Sequence, residues 1–504
     1  MSVFAAPPAA AAPRRGLYRR TPGLDAAALG LIVVLAVTTI AKMTLFSRQA
    51  LTFDEAWTGM IAAQKSWPAL IHQCRIEINA PLYYVIAWLS ARLAGPSDVA
   101  LRLPALLFAC ATPLIALAGG RSTPRSTRLV WSALLACWIP GFLLAQEARC
   151  YSSVLFLATL STVAYIALLR RPGMLKALAW AFSASLLILD HYFAAVLIAC
   201  QGFAFLAARR KAALATWPAA LIFVPALASI IQKAALLRRF AQPGIAWISP
   251  LTPSDLPSLG VFLLGPSVII VGLAIWIAAG FTIAWRSRAK AAPSDGARRD
   301  LGLILAVLVN LLALSICMTL GFLRPMVTAR YLTCFAPGLL LGLALLARRF
   351  ERSWPIAPAL LTAGALGVIL ATLIRPLAVR SVFTFEDAAQ YLMRAKAHSL
   401  VFMWDNPVAQ NPDTGQFANV GGFFFQRAGR PIPVDVVAWA KDEDPNLALT
   451  RRADAPGAAI LWIYDRGVAG TLAITHAPSI PMVDPAWTCR DFGGGAIGVL
   501  ACRK

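Results

Sequence analysis

Apolar runs recur along the chain near residues 24–46, 101–118, 129–145, 152–169, 177–189, 192–207, 213–231, 258–284, 301–320, 332–347 and 355–374. Runs of this length, separated by polar breaks, predict a bundle of about eleven membrane-crossing helices. The run PLYYVIAWLSARLAG at 81–95 differs. As a helix it is about 22 Å long, against a hydrocarbon core of roughly 30 Å. It reads as an amphipathic helix in the outer interface, with Tyr83, Tyr84, Trp88 and Arg92 at headgroup level.

Composition agrees with this pattern. Of 504 residues, 59% are hydrophobic and 14% charged, and the mean hydropathy is +0.69. An ordinary soluble protein is much less apolar. The net charge of +23, from 46 basic and 23 acidic residues, would suit nucleic acid if it formed one patch. The basic residues instead fall in short clusters between apolar runs: Arg121/Arg125/Arg128, Arg170/Arg171/Lys176, Arg209/Arg210/Lys211, Arg286/Arg288/Lys290/Arg298/Arg299 and Arg348/Arg349/Arg352. Every second loop is basic, as cytoplasmic loops are, so no nucleic-acid partner is expected. The alternation holds only if the 81–95 run does not cross.

The loops holding Asp54, Glu147, Asp190, Arg238/Arg239 and Arg330 then face outside. The basic Pro/Ala-rich tail 1–20 is expected in the cytoplasm, with no cleavable signal peptide. The expected location is the cytoplasmic membrane, with the site on its outer, periplasmic side and lipids around the spans.

After Arg375-Pro376 the pattern changes. Short apolar runs (SLVFMW, PIPVDVVAW, AAILWIY, GVLAC) alternate with polar loops and a helical stretch, EDAAQYLMRAKA. A small α/β domain over 376–504, outside the membrane, is expected after a 21–375 membrane domain whose first outer loop spans 47–98. The nine cysteines include no CxxC pair, which argues against a structural zinc. Cys489 and Cys502 flank a glycine-rich turn; a hairpin there would bring them together, as a disulfide or as free thiols.

The candidate chemistry lies in the outer loops. Asp54-Glu55 follows the first span; such a pair caps a helix, or supplies a general base beside the bilayer. Glu77-Ile78-Asn79-Ala80-Pro81-Leu82-Tyr83-Tyr84 starts the interfacial helix, and Pro81 alone suits a helix start. Gln146-Glu147-Ala148-Arg149-Cys150-Tyr151 forms a tight turn; it either holds two helix ends by a Glu–Arg pair or offers an acid and a phosphate-matching guanidinium. Asp190-His191-Tyr192 and Arg330-Tyr331 sit at further outer junctions, where the histidine packs or caps and the arginine meets a lipid headgroup or a bound carrier.

FDEAW, EINAPLYY, SDVALRLPALL, QEARCYSSVLFLATLS, DHYFAAVLIACQ and RYLTCFAPGLLL, in this order over roughly 24–350, resemble the GT-C glycosyltransferases of the family-39-like group, which holds protein O-mannosyltransferases and lipid A aminoarabinose transferases. The resemblance implies a polytopic α-helical GT-C membrane fold and a sugar passing from a polyprenyl-phosphate carrier to an extracytoplasmic protein, lipid or glycan. It marks Asp54 as the catalytic acid, Glu55 as its partner and Glu147 as the acid of the second loop. Arg149, Tyr151, Arg330 and Tyr331 become carrier-binding candidates, and Glu77, Tyr83 and His191 complete the substrate-binding set. Where relatives carry Asp-x-His-Pro-Pro-Leu-Tyr-Tyr, this chain has Glu77, Asn79 and Ala80, which weakens any metal or proton-relay role there.

The function expected is inverting transfer, with Asp54 as base and arginines, with or without a divalent metal ion, stabilising the departing phosphate. The alternative, a lipid-linked sugar flippase, would place charged or broken-helix features at mid-membrane and show internal repeats.

Overall fold

The structure, a computed structural model, describes residues 22–45, 50–95, 97–119, 123–242, 249–264, 296–351, 385–405, 414–438, 443–465, 478–492 and 497–504. The tail 1–20, most of the 258–284 run, the 355–374 run and the expected boundary at 376 lie outside those residues.

The membrane part is helical: α1 Pro22–Leu45, α2 Phe53–Ala62, α3 Trp67–Ile76, α4 Leu82–Ala94, α5 Asp98–Ala118, α6 Arg125–Cys137, α7 Pro140–Leu144, α8 Tyr151–Arg170, α9 Met174–Asp190, α10 Ala194–Ala208, α11 Arg210–Ala215, α12 Val224–Phe240, α13 Leu256–Leu264, α14 Gly296–Leu323 and α15 Ala336–Glu351. Among the described residues five segments are long and apolar enough to cross a bilayer: Asp98–Ala118, Tyr151–Arg170, Trp217–Arg239, Leu301–Leu323 and Ala329–Leu346. Shorter apolar helices are Ala28–Thr44 within α1, α4 and α10. The chain is thus a multi-pass membrane protein.

The 129–145 run forms two helices rather than one. Pro140 cannot continue the hydrogen-bond ladder of α6, so the chain breaks at Trp138-Ile139 and restarts as the short α7. Pro218 acts similarly within the 213–231 run: α11 stops, and a 3-10 turn over Trp217–Phe223 leads into α12.

The described basic loops at 123–128, 170–176 and 209–211 follow α5, α8 and α10 at the same end of the bundle. There Arg128 Nη1 donates to Leu117 O (3.1 Å), Arg209 Nε to Leu169 O (3.3 Å) and Lys176 Nζ to Arg171 O (2.5 Å). These cations cap carbonyl-rich helix ends. The acidic loops emerge at the other end, where the functional candidates lie.

Between α1 and α5 the chain folds into α2, α3 and α4, of 10, 10 and 13 residues, each too short to span. The 81–95 run is therefore a short helix, as its length required. Its rings are placed differently from the expectation: Tyr83 and Tyr84 are 2% and 3% exposed, buried against protein rather than in headgroups. Trp88 Nε1 donates to Gln64 O (2.8 Å), and Arg92, stacked 4.9 Å over the Trp88 ring, donates to the Gln64 and Lys65 carbonyls. Both groups tie α4 to the end of α2.

This loop shares a core with the C-terminal domain. Phe53 packs against Phe385 and Trp404, each at a 5.4 Å ring separation, and Trp57 meets Phe417 at 5.5 Å. Glu386 Oε2 accepts from Leu51 N (2.8 Å), Gln73 Nε2 donates to Gln416 Oε1 (3.0 Å), and Arg427 pairs with both Glu386 and Asp98.

The domain itself contains α16 Phe385–Arg394, β1 Ser399–Asp405, α17 Thr414–Gly421, α18 Phe423–Arg427, β2 Val434–Val437, α19 Pro445–Arg452, β3 Ala458–Asp465, α20 Ile480–Val483, β4 Thr488–Asp491 and β5 Ile497–Arg503. The sheet order is β2-β1-β3-β5-β4, with β2, β1 and β3 parallel and β5 antiparallel to both β3 and β4. The four apolar runs became β1, β2, β3 and β5, and EDAAQYLMRAKA gave α16. β4, short and largely exposed, lacks such a run. Cys489 lies directly opposite Cys502 in the β4–β5 register, and the two form a disulfide.

Candidate active site

Asp54 and Glu55 stand side by side on α2 but have different surroundings. Thr52 is the N-cap: its Oγ1 accepts from Glu55 N (3.3 Å), and Glu55 Oε2 accepts from Thr52 N (3.0 Å). That reciprocal pair is a capping box. Glu55 also receives Arg102 Nε on Oε1 (2.6 Å), Arg102 Nη2 on Oε2 (2.8 Å) and Ala148 N on Oε1 (2.9 Å). A carboxylate has about four lone-pair sites, and all four are filled. Glu55, 1% exposed, joins α2, α5 and the 145–150 turn as a structural strut. Asp54, one residue earlier, caps nothing with its side chain and is half exposed.

Asp54 faces Arg330 Nη1, which lies 3.5 Å from Asp54 Oδ2 and 3.8 Å from Glu147 Oε2. The guanidinium sits between two carboxylates brought from loops 93 residues apart in sequence (147 − 54). Arg330 also lies 5.7 Å over the Tyr151 ring. The His191 ring is 5.0 Å from Tyr331 and 6.0 Å from Tyr151, and Phe193 closes the group at 5.5 Å from Tyr331. The structure thus assembles Asp54, Glu147, Arg149, Tyr151, His191, Arg330 and Tyr331 at one end of the bundle.

Several buried polar atoms here have no hydrogen-bond partner among the described residues: Tyr83 Oη, Glu147 Oε2, Arg149 Nε, Asp190 Oδ1, His191 Nδ1 and Thr328 Oγ1. Folded proteins satisfy the great majority of such atoms. A concentration of them around charged groups is what a polar ligand would satisfy.

The electrostatics separate the two free acids. Burial pushes the Asp54 carboxyl up, but Arg149 and Arg330 outweigh it and hold Asp54 below the usual aspartate value. Glu147 goes the other way: desolvation raises it, and the nearby Glu55 and Asp54 add to the rise against Arg330 and Arg149. One acid is held ionised while its neighbour gains proton affinity, the pattern by which paired carboxylates divide roles. His191 is lowered to about 4 by burial and by Arg149, so its imidazole is neutral at physiological pH.

Glu77 is not in this cluster. Its Oε2 accepts from Trp57 Nε1 (2.6 Å), and its Oε1 from Asn79 N (3.2 Å) and Nδ2 (2.8 Å). It braces its own loop. Tyr83 lies closer, within the electrostatic reach of Asp190, Glu55 and Arg149.

Among the described residues no three His, Cys, Asp or Glu side chains gather as ligands. Asp54 and Glu147 are bridged by Arg330, and Glu55 is saturated.

Sequence reasoning missed Arg102 and Lys233. Arg102 is 2% exposed and lies 47 residues from Glu55, so only the fold reveals the pair. Lys233, 1% exposed, donates Nζ to Cys74 O (2.7 Å), Asn79 O (2.8 Å) and Glu77 O. Its three donors fasten α12 to the end of α3 and to the turn before α4. A lone lysine in a largely apolar helix was the available signal.

No protein-family model matches the sequence, and no curated protein matches it. Solved structures do resemble it. ArnT from Cupriavidus metallidurans in the apo state is 12% identical with a TM-score of 0.56, covering 95% of this chain and 98% of that one. The same protein bound to undecaprenyl phosphate is 10% identical with a TM-score of 0.53 over the same shares. The likeness extends past residue 350 into the C-terminal domain, further than the motifs reached. At this identity it is a likeness of fold: the chain has an ArnT-like membrane architecture with a small α/β domain at its C-terminus.

Proposed function

We propose that this protein transfers a sugar from a polyprenyl-phosphate carrier to an acceptor on the extracytoplasmic side of the cytoplasmic membrane, with inversion at the anomeric carbon. The observation that carries the reading is the group of Asp54, Glu147, Arg149 and Arg330, ringed by unpartnered buried polar atoms, at the membrane end remote from the basic loops. Further support comes from the similarly folded ArnT, which binds undecaprenyl phosphate. The Cys489–Cys502 disulfide suits an oxidising compartment for the domain at 376–504. The catalytic machinery lies in 21–375, and the C-terminal domain braces its first loop.

In this reading Arg149 and Arg330 take the carrier phosphate, to which guanidinium groups are matched in geometry and charge. Tyr151, Tyr331 and His191 wall the site, and Glu147 balances Arg330. Asp54 removes the proton from the acceptor hydroxyl, whose oxygen attacks the anomeric carbon from the face opposite the phosphate. The carbon–phosphate-oxygen bond breaks with its electron pair on the polyprenyl phosphate. That leaving group is already anionic, so no strong general acid is needed.

Asp54 held low is a weak base while both arginines face it. A bound phosphate supplies the arginines with another anion, relaxes their hold on Asp54 and raises its proton affinity. The base is thus strengthened when the donor arrives. Glu55 acts as a positioning residue.

Purified protein incubated with labelled polyprenyl-phosphate sugars and cell-envelope fractions tests this reading. Label moving to an envelope acceptor supports transfer. Label that stays on the carrier while crossing vesicles would identify a flippase instead.

A further inference from the structure

Asp190, the last residue of α9, is 1% exposed and has no part in the chemistry above. Its Oδ2 lies 2.5 Å from Ser153 Oγ, and the same Oγ lies 2.7 Å from Cys150 O. A serine hydroxyl has one proton to give. With Asp190 ionised, Ser153 would face two acceptors with one proton, and one short contact would hold none. With Asp190 protonated on Oδ2 the chain closes: Asp190 donates to Ser153, and Ser153 donates to Cys150 O. The geometry therefore calls for a neutral carboxyl, with Oδ1 left as a buried carbonyl-type acceptor.

That Oδ1 has no partner among the described residues, and neither do Tyr83 Oη, 2% exposed, nor His191 Nδ1 on the adjoining residue. Tyr83 comes from α4, which packs on α9. The His191 ring touches Tyr331, the neighbour of Arg330. The three atoms, one acceptor and two that can donate or accept, carry no formal charge; Tyr83 lies within the electrostatic reach of Asp190 and Arg149, and His191 within that of Arg149. The three atoms match a group of neutral hydroxyls.

We infer that Asp190, with Tyr83 and His191, forms the subsite for the donor's sugar ring, and that this subsite takes an uncharged hydroxyl-bearing sugar rather than an amino sugar carrying an ammonium group. An ammonium would need an ionised carboxylate opposite it, which the Ser153–Cys150 chain does not provide. The inference rests on the proposed function and specifies its substrate class.

Binding to the full-length protein in nanodiscs separates the two. The probes are undecaprenyl phosphate alone, undecaprenyl-phosphate mannose and undecaprenyl-phosphate 4-aminoarabinose, measured on wild type, Asp190→Asn, Asp190→Ala and Tyr83→Phe. The wild type should bind the mannose carrier more tightly than the bare carrier. Asp190→Ala and Tyr83→Phe should each lose about threefold to tenfold of affinity for it. Asp190→Asn keeps an acceptor oxygen and a donor toward Ser153, and should stay near wild type. Bare-carrier affinity should be unchanged in all variants, which also reports correct folding. Preference for the amino sugar with loss in Asp190→Asn would overturn the inference, as would unchanged mannose-carrier binding in both Asp190→Ala and Tyr83→Phe. Failure of the wild type to bind any carrier would instead overturn the proposed function on which it rests.

Discussion

Arg330 Nη1 lies 3.5 Å from Asp54 Oδ2, so the proposed base and the proposed phosphate-binding group neutralise each other when no donor is bound. Donor binding must compete with this pair. The exposed ends, at 37% and 47% of side-chain area, leave both groups accessible to ligand and to screening by salt.

The pairing predicts a difference between two pH profiles. Asp54 is held low in the donor-free protein, so it is ionised through neutral pH and loses activity only as pH falls through that lowered value. The acid limb of kcat/KM, which reports the free enzyme, should lie below the ordinary aspartate value of about 3.9. The acid limb of kcat, which reports the complex, should lie higher, because the phosphate has engaged the arginines. Arg330→Ala should move the kcat/KM limb upward. His191, lowered to about 4, should add no step near the ordinary imidazole value of about 6.5. Coincident limbs in wild type would contradict the coupling.

Carrier affinity should depend on both arginines. Arg149→Ala and Arg330→Ala should each weaken binding of undecaprenyl phosphate, and lysine at either position should restore only part of it, since an ammonium lacks the planar fork. Equilibrium binding at several salt concentrations checks this. Wild-type affinity in both alanine variants would remove them from the site.

Glu55 and Arg102 should behave as a stability pair. Their side chains are 1% and 3% exposed, and removing one partner strands a buried charge at a cost of about 3–5 kcal/mol. Arg102→Ala should lower the unfolding temperature and increase protease cleavage near 50–80. Activity should fall with the folded fraction, and the surviving molecules should keep their donor affinity. An unchanged unfolding temperature would argue against the strut.

The disulfide should report both compartment and domain stability. Without reductant, Cys489 and Cys502 should resist alkylation. Replacing both by serine should destabilise the C-terminal domain by up to about 3 kcal/mol for the short loop they close. Alkylation without reductant would contradict the bond.

What the sequence disclosed depended on how local each signal was. The strands β1, β2, β3 and β5 were legible because each buries a continuous apolar run, whereas β4 has mostly exposed side chains. The short α4 was legible from its length. Its tyrosines were misplaced because an amphipathic helix looks alike whether its polar face meets headgroups or a neighbouring domain. The grouping of Asp54, Glu147, Arg149 and Arg330 followed from motif order and loop charge. The different fates of Asp54 and Glu55 did not, because Arg102, Ala148 and Thr52 meet Glu55 only in the folded protein. The partners of Lys233 and Asp190 were hidden similarly: they are backbone carbonyls and a serine elsewhere in the fold, which leave no trace in spacing or composition.

The central claim is that Asp54 is the base, and Asp54→Asn tests it most directly. Capping of α2 belongs to Thr52 and Glu55, so the substitution leaves the helix start intact and removes only the proton acceptor. In a transfer assay with matched amounts of folded protein, the variant should bind undecaprenyl phosphate and lose about 100-fold to 10,000-fold in turnover. Turnover near wild type in Asp54→Asn would contradict the mechanism and leave the fold untouched.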